Sequence, residues 1–318
     1  MMVRRALVLT AGLGTRLRPL TDVRAKPAIP VAGEPMIRRI IRTLVAQGID
    51  DLVLNLHHLP ATLTSVVGDG RDLGARVRYS WEPVILGSAG GPRLARPIVG
   101  GGTFWIVNGD TLSDVSFAAL AARHAAASAR VTLALVPNRE FARYGGVHLD
   151  GDGRVTRFTP RGPSSEGSHH YIGVQLVDGA VFDPVQPGDV ASSIGGIYDA
   201  LLATAPGAVR GFVSDATFFD VGTVDDYRRT DAAFRIARSS AEHATDPTPA
   251  VSRGTTIDPS ARVTRSILWD DVQVGAGTTL DECIVTDGVV VPAGMAHARS
   301  VLMRGSDDRM IVEPLSES

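Results

Sequence analysis

The chain has 318 residues, with 32 Lys and Arg set against 34 Asp and Glu, a formal net charge of −2. That length supports one large domain or a large domain with a small one, and a charged fraction of 21% excludes wholesale disorder. The near-neutral balance leaves no basic footprint for nucleic acid or a membrane surface, and the single cysteine, Cys283, excludes an intramolecular disulfide.

In chain order, Arg4-Arg5 and the apolar run from Ala6 have the look of a signal peptide. Gly14-Thr-Arg16-Leu-Arg18 cuts the run short, so it reads instead as a buried strand. No apolar run reaches the length of a membrane helix, and a soluble cytoplasmic protein is expected. Further strands are predicted at Asp51–Asn55, Val77–Ser80, Thr103–Val107 and Val131–Val136. Between them, Met36, Ile37, Ile40, Ile41, Leu44 and Val45 recur at helical spacing over Pro35–Gln47, and Gly48 ends the pattern. Phe117–Ser128 is a second, Ala-rich helix. Strands alternating with helices predict an α/β fold: a Rossmann-like, mostly parallel sheet with helices on both faces. Ligands bind such sheets outside the carboxyl ends of the strands, so chemistry is sought just after each strand.

The texture changes after Arg238. Ser239–Pro249 lacks periodicity and reads as part of a linker over 239–250. From 251 to 303 apolar residues return at roughly six-residue steps: Ile257, Val263, Ile267, Val272, Val274, Leu280, Ile284, Val289 and Val291. This is the pattern of a short β-helix of hexapeptide repeats, with one apolar side chain per step stacked inward; a small meander is the alternative. The organisation expected is a domain over 1–238, the linker, the β-helix, and a tail over 304–318. An open β-helix end predicts self-association. Cys283 falls inside the repeats as a small apolar filler.

The most informative segment is Ala11-Gly12-Leu13-Gly14-Thr15-Arg16-Leu-Arg18-Pro-Leu-Thr21, directly after the first strand. Glycines let backbone approach a phosphate, successive N–H groups form an anion nest, and Arg16 adds a bidentate cation. A dinucleotide loop would need Gly where Leu17 stands, and a Walker A loop would need Gly-Lys-Ser/Thr at its end. The continuation is Arg24-Ala-Lys26-Pro27-Ala-Ile-Pro30-Val-Ala-Gly33-Glu-Pro35. From Ala11 to Ile37 the chain resembles the signature of the sugar-1-phosphate nucleotidyltransferases. Ala25 replaces the first proline of Pro-Lys-Pro and Glu34 replaces a usual Lys or Arg. The resemblance continues at Glu82-Pro-Val-Ile-Leu-Gly87-Ser88-Ala-Gly90, Asn108-Gly-Asp110, Tyr144-Gly145-Gly146-Val and Phe219-Asp220-Val-Gly222-Thr223. It therefore covers nearly the whole chain. The hexapeptide tail is a feature of mannose-1-phosphate guanylyltransferases in particular, and the left-handed β-helix is the form it implies.

The resemblance implies nucleotidyl transfer from a nucleoside triphosphate to a sugar 1-phosphate, with guanylyl transfer to mannose 1-phosphate as the favoured version. Uridylyl or thymidylyl transfer to another hexose phosphate, or a non-catalytic nucleotide-sugar-binding subunit, are the alternatives. Ala11, Gly12, Leu13, Gly14, Thr15 and Arg16 would hold the triphosphate, and Lys26 would sit near the α-phosphate or the incoming phosphate. Glu82, Gly87 and Ser88 would serve the base; taken alone, Glu82 reads equally as a solvent-facing strand end. Asp110 and Asp220 are the implied ligands of Mg²⁺, a hard ion that prefers oxygen. On their own, Asp110 reads as a turn residue and Asp220 as a helix cap.

Gly145, Arg161 and Tyr171 are the implied sugar-phosphate residues. The family's Phe-x-Glu-Lys-Pro is here Phe158-Thr-Pro160-Arg161-Gly162. The Glu is missing and Arg161 stands in the place of Lys, which leaves the sugar open. His57-His58 is expected in a loop, because adjacent side chains point apart. His169-His170, beside the Ser- and Gly-rich 162–168 stretch, reads as a mobile loop, with contact to the sugar as the alternative.

Overall fold

The structure, a computed structural model, describes residues 3–238 and 248–315. The expected linker lies outside the described residues as far as 247, and the expected tail does so beyond 315. By contacts the chain forms two compact units: Met1–Gly12 with Ile37–Phe219, and Leu13–Met36 with Asp220–Ser318. The signature loop and the helix before 238 group by contacts with the C-terminal repeats.

In chain order, the first unit contains β1 (Arg5–Leu9), α1 (Met36–Ala46, its first residue at the boundary), β2 (Asp51–Leu56), α2 (Pro60–Val67), β3 (Arg76–Trp81), α3 (Gly87–Val99), β4 (Thr103–Asn108), α4 (Phe117–Ala126), β5 (Val131–Pro137), β6 (Gly146–Leu149), β7 (Val155–Thr159), β8 (His169–Asp178), α5 (Tyr198–Thr204) and β9 (Val209–Val213). Nine strands form one sheet in the order β7-β6-β8-β4-β1-β2-β3, with β5 on β8 and β9 on β5. β1, β2, β3 and β4 run parallel, as do β5 and β9; β8 is antiparallel to both β4 and β5. The carboxyl ends of β1 to β5 and of β9 therefore share one edge of the sheet. Ala6, Leu7 and Val8 are all fully buried, a continuous apolar run of the kind a sheet covered on both faces requires. α3 packs on β1, β2 and β3, and α4 on β5 and β8.

α1 buries Met36, Ile37, Ile40, Ile41 and Leu44, as its spacing predicts. It stops at Gly48, whose φ of +78° lets Ile49 N–H donate back to the Leu44 carbonyl at 2.9 Å. Among the described residues no helix is long and apolar enough to cross a membrane.

The second unit holds the loop Leu13–Met36, helix α6 (Val224–Arg238) and the repeats. The repeats form three sheets whose coil-to-coil pairings are all parallel. One holds Ala250–Val251, Ile267–Leu268, Ile284–Val285 and Ser300–Arg304; the next Thr256–Ile257, Gln273–Val274 and Val290–Val291; the third Arg262–Thr264, Thr279–Asp281 and Ala296–Ala298. Hydrogen bonds between coils join residues 17 apart, such as Cys283 N–H to Ser266 Oγ. Each coil is thus shorter than three full hexapeptides. The short corner falls at Arg265, Glu282 and Arg299, which take left-handed backbone at φ 48°, 53° and 49°. Val272, Val274, Leu280, Cys283, Val289 and Val291 fill the interior, and Ile257 and Val263 are only partly buried at the first coil. Part of the expected tail is ordered too: Met310–Pro314 pairs antiparallel with Ser300–Arg304.

Candidate active site

The predicted residues divide between the units. Ala11, Gly12, Glu82, Gly87, Ser88, Asp110, Gly145, Arg161 and Tyr171 lie in the first; Leu13, Gly14, Thr15, Arg16, Lys26 and Asp220 lie in the second.

In the first unit the exits of β1, β2 and β3 are tied by one polar chain. Thr10 N–H donates to Asn55 Oδ1 at 2.6 Å, the Thr10 hydroxyl donates to the Asn55 carbonyl, and Asn55 Nδ2 donates to Glu82 Oε1 at 2.7 Å. Glu82 Oε2 then accepts from Leu86 N–H at 2.9 Å. Glu82 is 1% exposed, so the solvent-facing alternative is excluded. It acts by fixing the turn into α3. Gly87 and Ser88 also have structural partners. At φ +79°, a Cβ on Gly87 would stand 2.7 Å from the Ala191 carbonyl, and Ser88 Oγ accepts from Ser193 N–H at 2.9 Å. Thr10 and Asn55 were missed by the sequence reading, because a lone Asn ending an apolar strand carries no motif.

At the exit of β4, Gly109 N–H bonds the Leu9 carbonyl at 2.9 Å, which leaves Asp110 in the turn beyond the sheet edge, half-buried. Across from it, β8 is bulged between Tyr171 and Gln175. Gly173 at φ +78° lies so close to Asn108 that a Cβ would meet its side chain at 2.8 Å. The Tyr171 hydroxyl is buried without a hydrogen-bond partner. Burial, then Tyr198 and Asp110, push it well above its ordinary pKa, so it is a neutral phenol with a donor to offer.

The carboxyl ends of β5 and β9 border a cavity of about 560 Å³, lined among others by Asn138, Tyr144, His170, Asp215 and Phe218. His170 stacks on Tyr144 with centroids 3.9 Å apart, and Phe218 is 5.2 Å from His170. Burial and then Arg143 lower the His170 pKa to about 4, so the ring is neutral at ordinary pH. The mobile loop expected for His169-His170 is therefore corrected: both residues open β8, paired with Pro137 and Val136. The hydroxyls of the neighbouring serines satisfy local carbonyls, Ser165 to Pro160 at 2.7 Å and Ser168 to Ser165 at 2.6 Å. Gly145 and Arg161 are brought together: a Cβ on Gly145 would be 3.9 Å from Arg161 N. His57 bonds the Glu82 carbonyl through Nδ1 at 2.8 Å, in the loop expected for it.

In the second unit, Gly14 at φ +63° starts the single turn Thr15–Leu17, and its carbonyl accepts from Leu17 N–H at 2.8 Å and from the Thr21 hydroxyl at 3.0 Å. A Cβ on Gly14 would meet Thr21 Cγ2 at 2.7 Å and Lys26 Cβ at 3.3 Å, so Lys26, itself buried, packs beneath the glycine turn. Leu13, Thr15 and Arg16 are exposed. The Arg16 guanidinium lies against Gly222, where a Cβ would stand 3.3 Å from Nη1. Gly222 follows Asp220, the last residue of the strand Phe218–Asp220, by two positions. Asp220 is not the cap of α6: Thr223 N–H and hydroxyl both donate to Asp226 Oδ2, at 3.0 and 2.9 Å, and Asp226 N–H returns to Thr223.

Among the described residues no group of three or more His, Cys, Asp or Glu could hold a metal. Mg²⁺ takes one or two carboxylates and completes its shell with water and substrate phosphates.

The nucleotidyl transferase family model matches residues 5–235, and that of the GlmU-like C-terminal hexapeptide matches residues 247–298. The repeats are thus those of a left-handed β-helix. A mannose-1-phosphate guanylyltransferase of Mycobacterium tuberculosis is 31% identical over 297 residues, covering 92% of this chain and 83% of that one. An N-acetylmuramate alpha-1-phosphate uridylyltransferase of Neisseria meningitidis is 32% identical over 225 residues, 69% of this chain and 94% of that one. The crystal structure of HddC from Yersinia pseudotuberculosis complexed with GMP-PN shares the fold at a TM-score of 0.61 and 22% identity, covering 72% of this chain and 98% of that one. The chain belongs to the nucleotidyl transferase family and is a sugar-1-phosphate nucleotidyltransferase.

Proposed function

We propose that the protein transfers a guanylyl group from GTP to mannose 1-phosphate. The observation that carries this reading is the likeness to the mycobacterial mannose-1-phosphate guanylyltransferase, which extends over 92% of the chain. A phosphate oxygen of the sugar 1-phosphate forms a bond to the α-phosphorus as the bond to the bridging oxygen of the β-phosphate breaks. GDP-mannose forms, pyrophosphate leaves, and no covalent enzyme intermediate is needed. Two polyanions must be aligned, so the work of the protein is positioning and charge compensation.

The exposed backbone of Gly12–Thr15 and the Arg16 guanidinium hold the triphosphate. Lys26 brings a compact cation to the phosphates. Gly145, Arg161 and the neutral Tyr171 hydroxyl serve the sugar phosphate, with the aromatic cavity beside them for the sugar ring. Asp110 and Asp220 would hold Mg²⁺, which when bound supplies positive charge shared between the phosphates of both substrates. The exposed apolar residues Val290, Ile311 and Val312 support self-association through the repeats, which sedimentation analysis tests.

Pyrophosphate release measured for five nucleoside triphosphates against a panel of sugar 1-phosphates tests the assignment. GTP with mannose 1-phosphate is expected to give the highest kcat/KM. A higher value with UTP or dTTP and another sugar phosphate replaces it. No release from any pair, with nucleotide-sugar binding retained, leaves a binding subunit.

A further inference from the structure

Arg24 stands two residues before Lys26 and belongs to no motif of the signature. Its side chain is 8% exposed, and its ion-pair partners come from the β-helix. Nε and Nη2 donate to the two oxygens of Asp287 at 2.6 and 2.7 Å, Nη2 donates to Asp270 at 2.9 Å, and Nη1 donates to the Ala28 carbonyl at 3.2 Å. The guanidinium carbon also lies 5.5 Å from the centroid of the Trp269 ring. Asp270 and Asp287 hold equivalent positions on successive coils, and Asp270 N–H donates to Asp287 at 3.2 Å. The bidentate geometry fixes orientation as well as distance.

The residues that follow are held to the same wall. Tyr227 of α6 accepts from Trp269 Nε1 at 3.0 Å and donates to the Pro30 carbonyl at 2.7 Å. Asp231, fully buried, accepts from Ala32 N–H at 2.7 Å. Gly33 lies so close to the first repeat that a Cβ would stand 2.7 Å from the Val251 carbonyl. The segment from Arg24 to Gly33 is thus seated on the repeats and α6 at both ends, with Lys26 between Arg24 and the glycine turn.

We propose that Arg24 is a positioning residue: through it, the Asp270–Asp287 pair of the β-helix sets the place of Lys26 beneath the phosphate loop, so the repeats are part of the catalytic apparatus. This rests on Lys26 serving the phosphates. A main-chain shift at Arg24 is passed to Lys26 through one buried residue, Ala25, with no flexible link between.

The test uses the full-length protein with the best substrate pair from the panel, and reads kcat, KM and thermal melting for R24A, R24K, D287N, K26A and the triple variant R24M/D270N/D287N. Removing one partner of a buried ion pair leaves the other uncompensated, whereas removing all of it restores an uncharged interior. The triple variant is therefore expected to melt near the wild type. It keeps nucleotide KM within a few-fold and loses roughly 10²-fold in kcat, the scale of a misplaced catalytic group. R24K, which keeps the charge without the fork, should fall between. Recovery of kcat together with melting in the triple variant overturns the proposal, because the ion pair then serves stability alone. So does a folded R24A or D287N with wild-type kcat. If K26A turns over like the wild type, the phosphate role of Lys26 fails first; if K26A is inactive while the Arg24 variants are unaffected, only the positioning role fails.

Discussion

Asn55 donates to Glu82 across the edge of the sheet at 2.7 Å while its amide oxygen accepts from Thr10. A buried carboxylate with no cation among its hydrogen-bond donors thereby joins the start of the glycine loop to the turn that opens α3. Asn55→Leu would keep the volume and remove both bonds, leaving Glu82 short of a donor in a site with almost no access to water. The expected loss is about 1–3 kcal/mol of stability, read as a lower melting temperature. KM for the nucleotide should rise with little change in kcat, since the groups disturbed touch the nucleotide's surroundings and not the reacting atoms. Glu82→Gln is milder, with one oxygen retained for Leu86 or Asn55. A KM effect as large for E82Q as for N55L would mean that the charge itself meets the base.

Asp110 and Asp220 make the sharper test, and for Asp220 the capping role that the sequence alone allows is excluded. The α6 cap belongs to Thr223 and Asp226, so Asp220→Asn is expected to melt like the wild type and lose turnover. Asp226→Ala should do the reverse: about 1 kcal/mol of stability lost with the cap, and a smaller loss of activity. Chelation by EDTA should abolish pyrophosphate release, and Mg²⁺ should restore it in the wild type. Turnover by D110N and D220N at the wild-type Mg²⁺ requirement would remove both residues from the metal.

The features legible in the sequence were those encoded within a short stretch. β1 announces itself as an apolar run, Gly14 to Arg16 as an anion loop, and Val272, Val274 and Leu280 as the inward row of a β-helix. Those that escaped are joined across long separations. Arg24 carries no role in the sequence, and its partner Asp287 is 263 residues away. Thr10 and Asn55 are 45 residues apart. His170 looked like loop because serines and glycines precede it, yet it opens β8 and the serine hydroxyls close local bonds. Glu82 read equally as a solvent-facing strand end, since one sequence does not show that its carboxylate is buried against the backbone of its own loop.

Gly12 and Gly14 occur in the same loop and are expected to differ on substitution. At Gly14 the left-handed backbone and the 2.7 Å approach to Thr21 leave no room for a methyl group. Gly14→Ala should cost roughly 1–3 kcal/mol through overpacking and strain, and displace Lys26 as well. At Gly12 nothing lies within 4 Å. Gly12→Ala should therefore leave melting unchanged and weaken only nucleotide binding, by blocking the approach of the phosphates to the backbone. Calorimetric titration with GTP separates the two. A Gly12→Ala protein that binds like the wild type would remove Gly12 from the phosphate cradle.

His170 gives the structure a pH dependence of predictable sign. Its folded-state pKa is lowered to about 4 from an ordinary 6.5, by burial first and then by Arg143. The unfolded chain takes up the proton first as the pH falls, so the stability this ring contributes is complete above about pH 6.5 and is lost progressively toward pH 4. Linkage puts the loss by pH 5 at about 2 kcal/mol. His124, lowered by burial as well, adds to it in the same direction. His170→Phe keeps an aromatic face against Tyr144 and removes the titrating group. Denaturant titrations at pH 7 and pH 5 should then show a smaller drop in the variant than in the wild type, by about the same 2 kcal/mol. An equal drop in both proteins would mean that the ring is solvated well enough to titrate normally, and that the Tyr144–His170 stack opens in solution.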